Sequence, residues 1–291
     1  MTRPSGVSEL LERPRFELVP VRGVEEAAEH LPAGATVTVT CSPRKGIAAT
    51  VELARWLAGR GFRAVPHLAA RLIHSPGHLE DVADRLAEAG VEDVFVIGGD
   101  PAEPIGPFSA AVDVLRGLDG LGRPFASVGI AGYPERHPFI GPEELVRALL
   151  EKQPSADYIV TQICFEPARI LAWLAEIRER GVELPVHVGL PGAVGRRRLL
   201  EMALRIGVGE SIRYLSKHGS LVARMMRRVS YSPDAILAGL SPHLSRPGPG
   251  IAGLHLNTFN QVRTTERWRH RALETYRWAG PTALDEDETG A

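Results

Sequence analysis

Cysteine is scarce. The 291 residues carry two, Cys41 and Cys164. Neither belongs to a Cys-x-x-Cys pair or to a Cys/His cluster with zinc spacing, which excludes a disulfide framework and a zinc centre as the basis of the fold. Both lie in apolar, strand-like segments and read as small buried hydrophobes. A surplus of one charge is missing too. Lys and Arg number 34 against 35 Asp and Glu, a net charge of −1. Such a balance gives no global field to recruit nucleic acid or an anionic membrane. No run approaches the ~18 to 20 apolar residues of a membrane span. The N-terminal stretch MTRPSGVSELLERPRFE has no apolar core of the kind a secretory signal needs. A cytoplasmic protein is the expectation. No GxGxxG follows the first strand, which weighs against an open dinucleotide-binding sheet.

What is present is a rhythm. Short apolar runs alternate with helical patterns. Strands are expected at 15–20, 36–41, 63–68, 91–99, 126–133, 157–165, 184–190 and 251–259. They are β-branched, short and bounded by Gly, Pro or Asp. Helical spacing fills the gaps at 23–31, 48–61, 77–90, 109–118, 142–152, 167–181 and 196–207, with a closing helix after Asn260. Residues 210–240 break the rhythm and read as two further helices. Short apolar strands separated by helices indicate a parallel sheet covered on its outside. Eight of them favour closure into a (β/α)8 TIM barrel: a single α/β domain over 1–291, with a small helical insertion before strand eight. About a dozen residues at the N-terminus and ten at the C-terminus, the latter acidic (ALDEDETGA), are expected to fray.

In a barrel of this kind the chemistry sits at the C-terminal ends of the strands. Glu17 lies inside the first apolar run. Such a carboxylate faces either a polar cavity or, as a structural group, an arginine. Desolvation is expected to raise its pKa, as suits a general acid. Asp100 closes VFVIGGD with no cation beside it and is either a turn residue or a ligand-holding one. Gln162 interrupts VTQIC and is either a satisfied core amide or the reader of a heterocycle edge. His67 follows Pro66 at a strand end, where scaffolding is the commoner role. YPERHP (133–138) gathers an aromatic, an acid and a base between prolines, which suits holding Tyr133 against a flat ligand. The rows Arg196–Arg198 and Arg227–Arg228 read as solvated helix faces that can also meet a polyanionic tail. No strand-end set has metal-ligand spacing.

Taken in order, these strand ends resemble the methylenetetrahydrofolate reductases. The carrying segments are FELVPVRG (16–23), VPHL (65–68), GGDP (98–101), GYPERHP (132–138), YIVTQICF (158–165), VGLPG (188–192) and GLHLNTFN (253–260). The likeness covers roughly residues 14 to 270. It implies a (β/α)8 barrel that reduces 5,10-methylenetetrahydrofolate to 5-methyltetrahydrofolate, with NADH or NADPH as hydride source. By resemblance, Glu17 is the general acid toward N10 of the folate, and Asp100 holds the pterin and favours the cationic intermediate. Gln162 contacts folate and nicotinamide in turn, and Thr258 and Asn260 join the substrate side. Thr40, His67, Tyr133, His137 and Lys152 match the flavin pocket. The folate is the expected small-molecule partner.

The chain departs from the family pattern on the flavin side. Gly98 stands where an arginine is usual before the glycine of the strand-four motif. The strand-two loop reads SPRKG (42–46) in place of a glycine-bearing flavin loop. Of the helix lysines that reach flavin phosphates, Lys152 alone is left, with Arg147 a turn earlier. LNTFN follows the strand-eight start where an aromatic is usual after the histidine. These departures imply weak or absent FAD binding and direct hydride transfer from the nicotinamide to the folate; the alternatives are an FAD-dependent reductase of the family's ordinary ping-pong type and a non-catalytic folate-binding barrel.

Overall fold

The computed structural model describes residues 6–137, 139–195, 232–244 and 250–278. Eight parallel strands close in sequence order into a barrel. They are β1 (Arg15–Leu18), β2 (Thr36–Val39), β3 (Arg63–Ala69), β4 (Asp93–Ile97), β5 (Ser127–Gly132), β6 (Tyr158–Thr161), β7 (Val186–Pro191) and β8 (Ile251–Asn257). β1 pairs with β2 on one side and with β8 on the other, Arg15 beside His255 and Glu17 beside Asn257. That last pairing closes the ring and removes both sheet edges.

Helices α1 (Val7–Glu12), α2 (Val24–Ala28), α3 (Gly46–Ala58), α4 (Pro76–Glu88), α5 (Ala111–Gly120), α6 (Pro142–Lys152), α7 (Pro167–Glu179), α8 (Asp234–Leu244) and α9 (Val262–Trp278) accompany the strands. Pro at the first turn starts α4, α6 and α7, where its missing N–H costs nothing. The main core is the shell between ring and helices. Phe16, Leu18, Val37 and Val39 point outward from β1 and β2 to meet helix faces such as Leu53, Ala54 and Leu57 of α3. Alternate residues point inward, because side chains along a strand switch faces.

The inner residues make two polar layers in an otherwise apolar barrel. Lower down, Arg15 donates to Asp93 at 3.0 Å and to the Tyr158 hydroxyl at 2.8 Å, and that hydroxyl donates to Asp93 at 2.7 Å. These groups come from β1, β4 and β6, so they meet only across the barrel interior. Val65, Phe95 and Val160 pack above them. An arginine was one of the two alternatives for Glu17; among the described residues none pairs with it, and Arg15 serves Asp93.

Two expectations need revision. Of the N-terminal dozen residues expected to fray, Val7–Glu12 form α1, which buries Val7, Leu10 and Leu11. Arg269 of α9 donates to the Leu11 carbonyl at 2.9 Å while gripping Glu266 with both ends of its guanidinium, at 2.6 and 2.9 Å. Three apolar anchors and one buried ion pair hold a helix too short to announce itself by periodicity. In the irregular region before strand eight, the helix starts at Asp234 and runs to Leu244, through Pro242. The remainder of the expected insertion, with both arginine rows and the helix at 196–207, lies outside the described residues.

Candidate active site

Glu17 sits near the C-terminal end of β1 with its side chain 13% exposed. Nε2 of His255, from β8, lies 3.1 Å from its Oε2. Nε2 of His67, from β3, lies 4.0 Å from the same oxygen. Residues on three strands therefore converge on one carboxylate oxygen, while Oε1 has no partner among the described residues. His67 stacks tilted on Phe95 with ring centroids 4.8 Å apart. Among the described residues no group of His, Cys, Asp and Glu is placed to hold a metal ion.

The electrostatics correct the expectation for Glu17. Burial does push its pKa up, but the hydrogen bond and charge of His255, with the charge of His67, outweigh burial and leave it below the ordinary value. An isolated buried carboxylate behaves as expected from the sequence; one facing two imidazoles does not. Burial pushes His67 down to about 4, against the pull of Glu17.

The backbone around Glu17 is held by the loop after β8. Thr258, fully buried, donates from Oγ1 to the Glu17 carbonyl at 2.6 Å and accepts the Asn260 N–H at 3.1 Å. The Asn260 amide accepts from the Val19 N–H at 2.8 Å and donates to the Val19 carbonyl at 2.9 Å. It imitates one residue of a neighbouring strand, past the point where β8 ends. Phe259 and Asn260 adopt the left-handed region, with φ of 49° and 60°, which asparagine tolerates better than most residues. Thr258 and Asn260, expected on the substrate side, thus also hold the backbone around Glu17.

Asp100 ends the turn after β4. Gly99 there has φ of +92°, a conformation glycine adopts without strain. Asp100 is exposed and makes no hydrogen bond or ion pair among the described residues. Burial of its neighbourhood raises its pKa, partly countered by His137. Tyr133 and His137 stand close by, their rings edge to face with centroids 5.1 Å apart. Asp100 raises the Tyr133 pKa, with burial as the larger cause. Gln162 is exposed just beyond β6, its Oε1 accepting the Ile163 N–H at 3.0 Å. Thr40 lies one residue past β2, half-buried, its carbonyl accepting from Thr50 at 3.0 Å. The mouth of the barrel thus gathers Glu17, Thr40, His67, Asp100, Tyr133, His137 and Gln162.

Lys152 is not among them. It ends α6, and α6 leads into the start of β6. Helix ends of that kind lie at the face opposite the strand C-termini. Burial pushes Lys152 down to about 8 there. His255, by contrast, is a residue the site reading left out. The signal was its spacing: it lies two residues before Asn257, and period two puts both on the inner face.

Fold and site together define an α/β barrel with a histidine-flanked carboxylate at its C-terminal mouth. The chain belongs to the methylenetetrahydrofolate reductase family, whose model matches residues 21–203. Asp100, His67 and Gln162 fall within the match; Glu17 and β8 lie outside it. The chain is 27% identical over 124 residues to methylenetetrahydrofolate reductase 2 of Saccharomyces cerevisiae, covering 38% of this chain and 20% of that protein. It is 29% identical over 114 residues to methylenetetrahydrofolate reductase 1 of Schizosaccharomyces pombe, covering 36% and 19%. With methylenetetrahydrofolate reductase (NADH) 1 of Arabidopsis thaliana it shares 24% over 143 residues, covering 43% and 24%. The matched stretch thus spans a quarter or less of these curated relatives. Among solved structures, a GH18 chitinase from Pseudoalteromonas aurantia superposes with a TM-score of 0.54 at 11% identity, covering 89% of this chain and 99% of that one. A 2,3-dimethylmalate lyase does so with a TM-score of 0.50 at 11% identity, covering 97% and 88%. Both show the barrel fold alone.

Proposed function

We propose that this protein reduces 5,10-methylenetetrahydrofolate to 5-methyltetrahydrofolate, taking the hydride directly from NADH. The observation that carries the reading is the carboxylate of Glu17 at the barrel mouth, held through one oxygen and free at the other. Family membership supports the substrate, and the name of the Arabidopsis relative supports NADH.

The chemistry needs an electrophilic carbon. The bond from the methylene bridge to N10 breaks with its electron pair going to nitrogen, and N10 takes a proton. The carbon is left as an iminium on N5. A hydride from C4 of the nicotinamide adds to it and completes the methyl group. A proton source near N10 and a carboxylate near the cation are what these steps require. Glu17 fills the first role and Asp100, with no cation of its own, the second. The amide of Gln162 offers a donor and an acceptor to the ring edge.

The positions that the resemblance assigns to the flavin side fit that group poorly. Its diphosphate calls for cations at the mouth. Lys152 lies at the opposite face of the barrel. Arg71, beside Gly99, is taken up by carbonyls: Nε donates to Ser109 at 2.9 Å, and Nη1 to Pro101 and Ala102 at 2.9 and 3.3 Å. Gly98 supplies no side chain. No step is therefore routed through flavin. The test is NADH oxidation by the purified, colourless protein with 5,10-methylenetetrahydrofolate and no added flavin. Turnover with formation of 5-methyltetrahydrofolate supports the reading. Turnover only after FAD is added contradicts its flavin-free part, and none under either condition contradicts the whole.

A further inference from the structure

The loop that carries Asp100 runs from Gly98 to Ala110, between β4 and α5. It holds three prolines, Pro101, Pro104 and Pro107. Each removes a backbone donor and leaves its carbonyl in place, so acceptors outnumber donors along the loop and must be satisfied from elsewhere. The Asp100 side chain makes no hydrogen bond or ion pair among the described residues. Its position is therefore set by the backbone beneath it. A group that fixes that backbone fixes the carboxylate.

Arg71 supplies the donors. It lies in a single 3₁₀ turn, Ala70–Leu72, directly after β3. Its neighbours Ala70, Leu72 and Ile73 are buried, which makes the turn a fixed base. The Arg71 N–H donates to the Gly98 carbonyl at 3.0 Å, and the Arg71 carbonyl accepts from the Ile105 N–H at 3.1 Å. The guanidinium adds three bonds. Nη1 donates to the carbonyls of Pro101 at 2.9 Å and Ala102 at 3.3 Å, and Nε donates to that of Ser109 at 2.9 Å. The bonds of one residue thus meet the loop before Asp100, just after it and at its far end. A rigid planar fork of donors suits that spread; an ammonium on a flexible stem does not. Glycines let the two loops approach. A Cβ on Gly106 would run into the carbonyls of Ile73 and His74, and one on Gly99 would press on Ala69.

We propose that Arg71 is a positioning residue of the reaction: by gripping the carbonyls on either side of Asp100, it holds that carboxylate at the barrel mouth, where the iminium forms. It acts through the backbone and not through its charge, since its guanidinium bonds all go to main-chain carbonyls. This rests on the reductase reading given above, which gives Asp100 its task.

The test uses Arg71→Met, which keeps the stem and removes the donors, and Arg71→Lys, which keeps the charge and loses the fork. Every readout is taken on both, so a methionine variant that folds poorly leaves the lysine variant to decide. The first readout needs no folate: amide hydrogen exchange across residues 98–110. It is expected to speed up by at least about tenfold while the barrel strands keep their protection. Unchanged exchange overturns the clip. The second readout is turnover. Displacing a reacting group by about 1 Å can cost about 10²-fold, so kcat is expected to fall about ten- to a hundredfold in Arg71→Met, with Arg71→Lys nearer to it than to the wild type. Full activity in Arg71→Lys shows that charge suffices and overturns the clip. The third readout is a double-mutant cycle with Asp100→Asn. A residue that acts through Asp100 adds less than about threefold to the loss once that carboxylate is gone. Losses that multiply make Arg71 merely structural and overturn its positioning role. A wild type that turns over no folate overturns the reductase reading and the positioning role with it. The exchange rates still report separately on the clip.

Discussion

A carboxylate inside a barrel must find a cation, a donor or a ligand, and Glu17 finds imidazoles. Removing its charge without changing its shape tests its role at the smallest scale. Glu17→Gln is expected to lower turnover by about 10²- to 10⁴-fold, the usual contribution of a positioned acid, while leaving the circular dichroism spectrum intact. Survival of activity would assign the proton to another group. The pH dependence of stability follows from the same residues. His67 binds its proton at about 4 in the folded chain against 6.5 ordinarily. The unfolded chain therefore holds more protons between those values, and stability falls as the pH falls through that window. The full shift amounts to roughly 3 kcal/mol. Glu17, lowered by its partners, adds stability above the ordinary carboxylate range that is lost at still lower pH. Urea midpoints at pH 7 and pH 4.5 should differ in the wild type and differ less in His67→Gln. Equal slopes would show that the ring is not held neutral.

At the scale of elements, the loop after β8 is a clamp on β1. Asn260→Ala leaves both the N–H and the carbonyl of Val19 without their partner and puts alanine in the left-handed region. A loss of about 2 kcal/mol in denaturant is expected, with kcat falling more than KM for NADH rises, because Glu17 shifts. An unchanged kcat would mean that Thr258 alone places the acid. The same scale shows what a sequence carries and what it hides. Strand positions were legible, since alternating β-branched runs such as TVTV have one physical reading. Asp100 and Tyr133 were legible because each follows the end of an apolar run, Glu17 and Gln162 because each interrupts one. The work of Thr258 and Asn260 was not: hydroxyls and amides bond to backbone or to ligand equally well, and the choice depends on which strand closes beside them. Nor was the pull on Glu17, which comes from His67 and His255, 50 and 238 positions away in the chain. α1 stayed hidden because its stability is borrowed from α9.

For the whole molecule, closure of the ring is what brings β1, β3 and β8 to one oxygen atom. Tight contacts enforce that closure. A Cβ on Gly189 of β7 would run into the Thr161 carbonyl of β6, so Gly189→Ala is expected to cost more than about 2 kcal/mol by splaying those strands. An unaltered midpoint would show that the barrel has slack there. The claim that organises the rest is direct transfer of hydride to the folate. NADH carrying deuterium at the transferred position of C4 tests it, with the product methyl group read by mass spectrometry. Direct transfer predicts full retention of the label in 5-methyltetrahydrofolate. Passage through a flavin exposes the hydride to exchange with solvent, and a methyl group depleted of deuterium would contradict the mechanism.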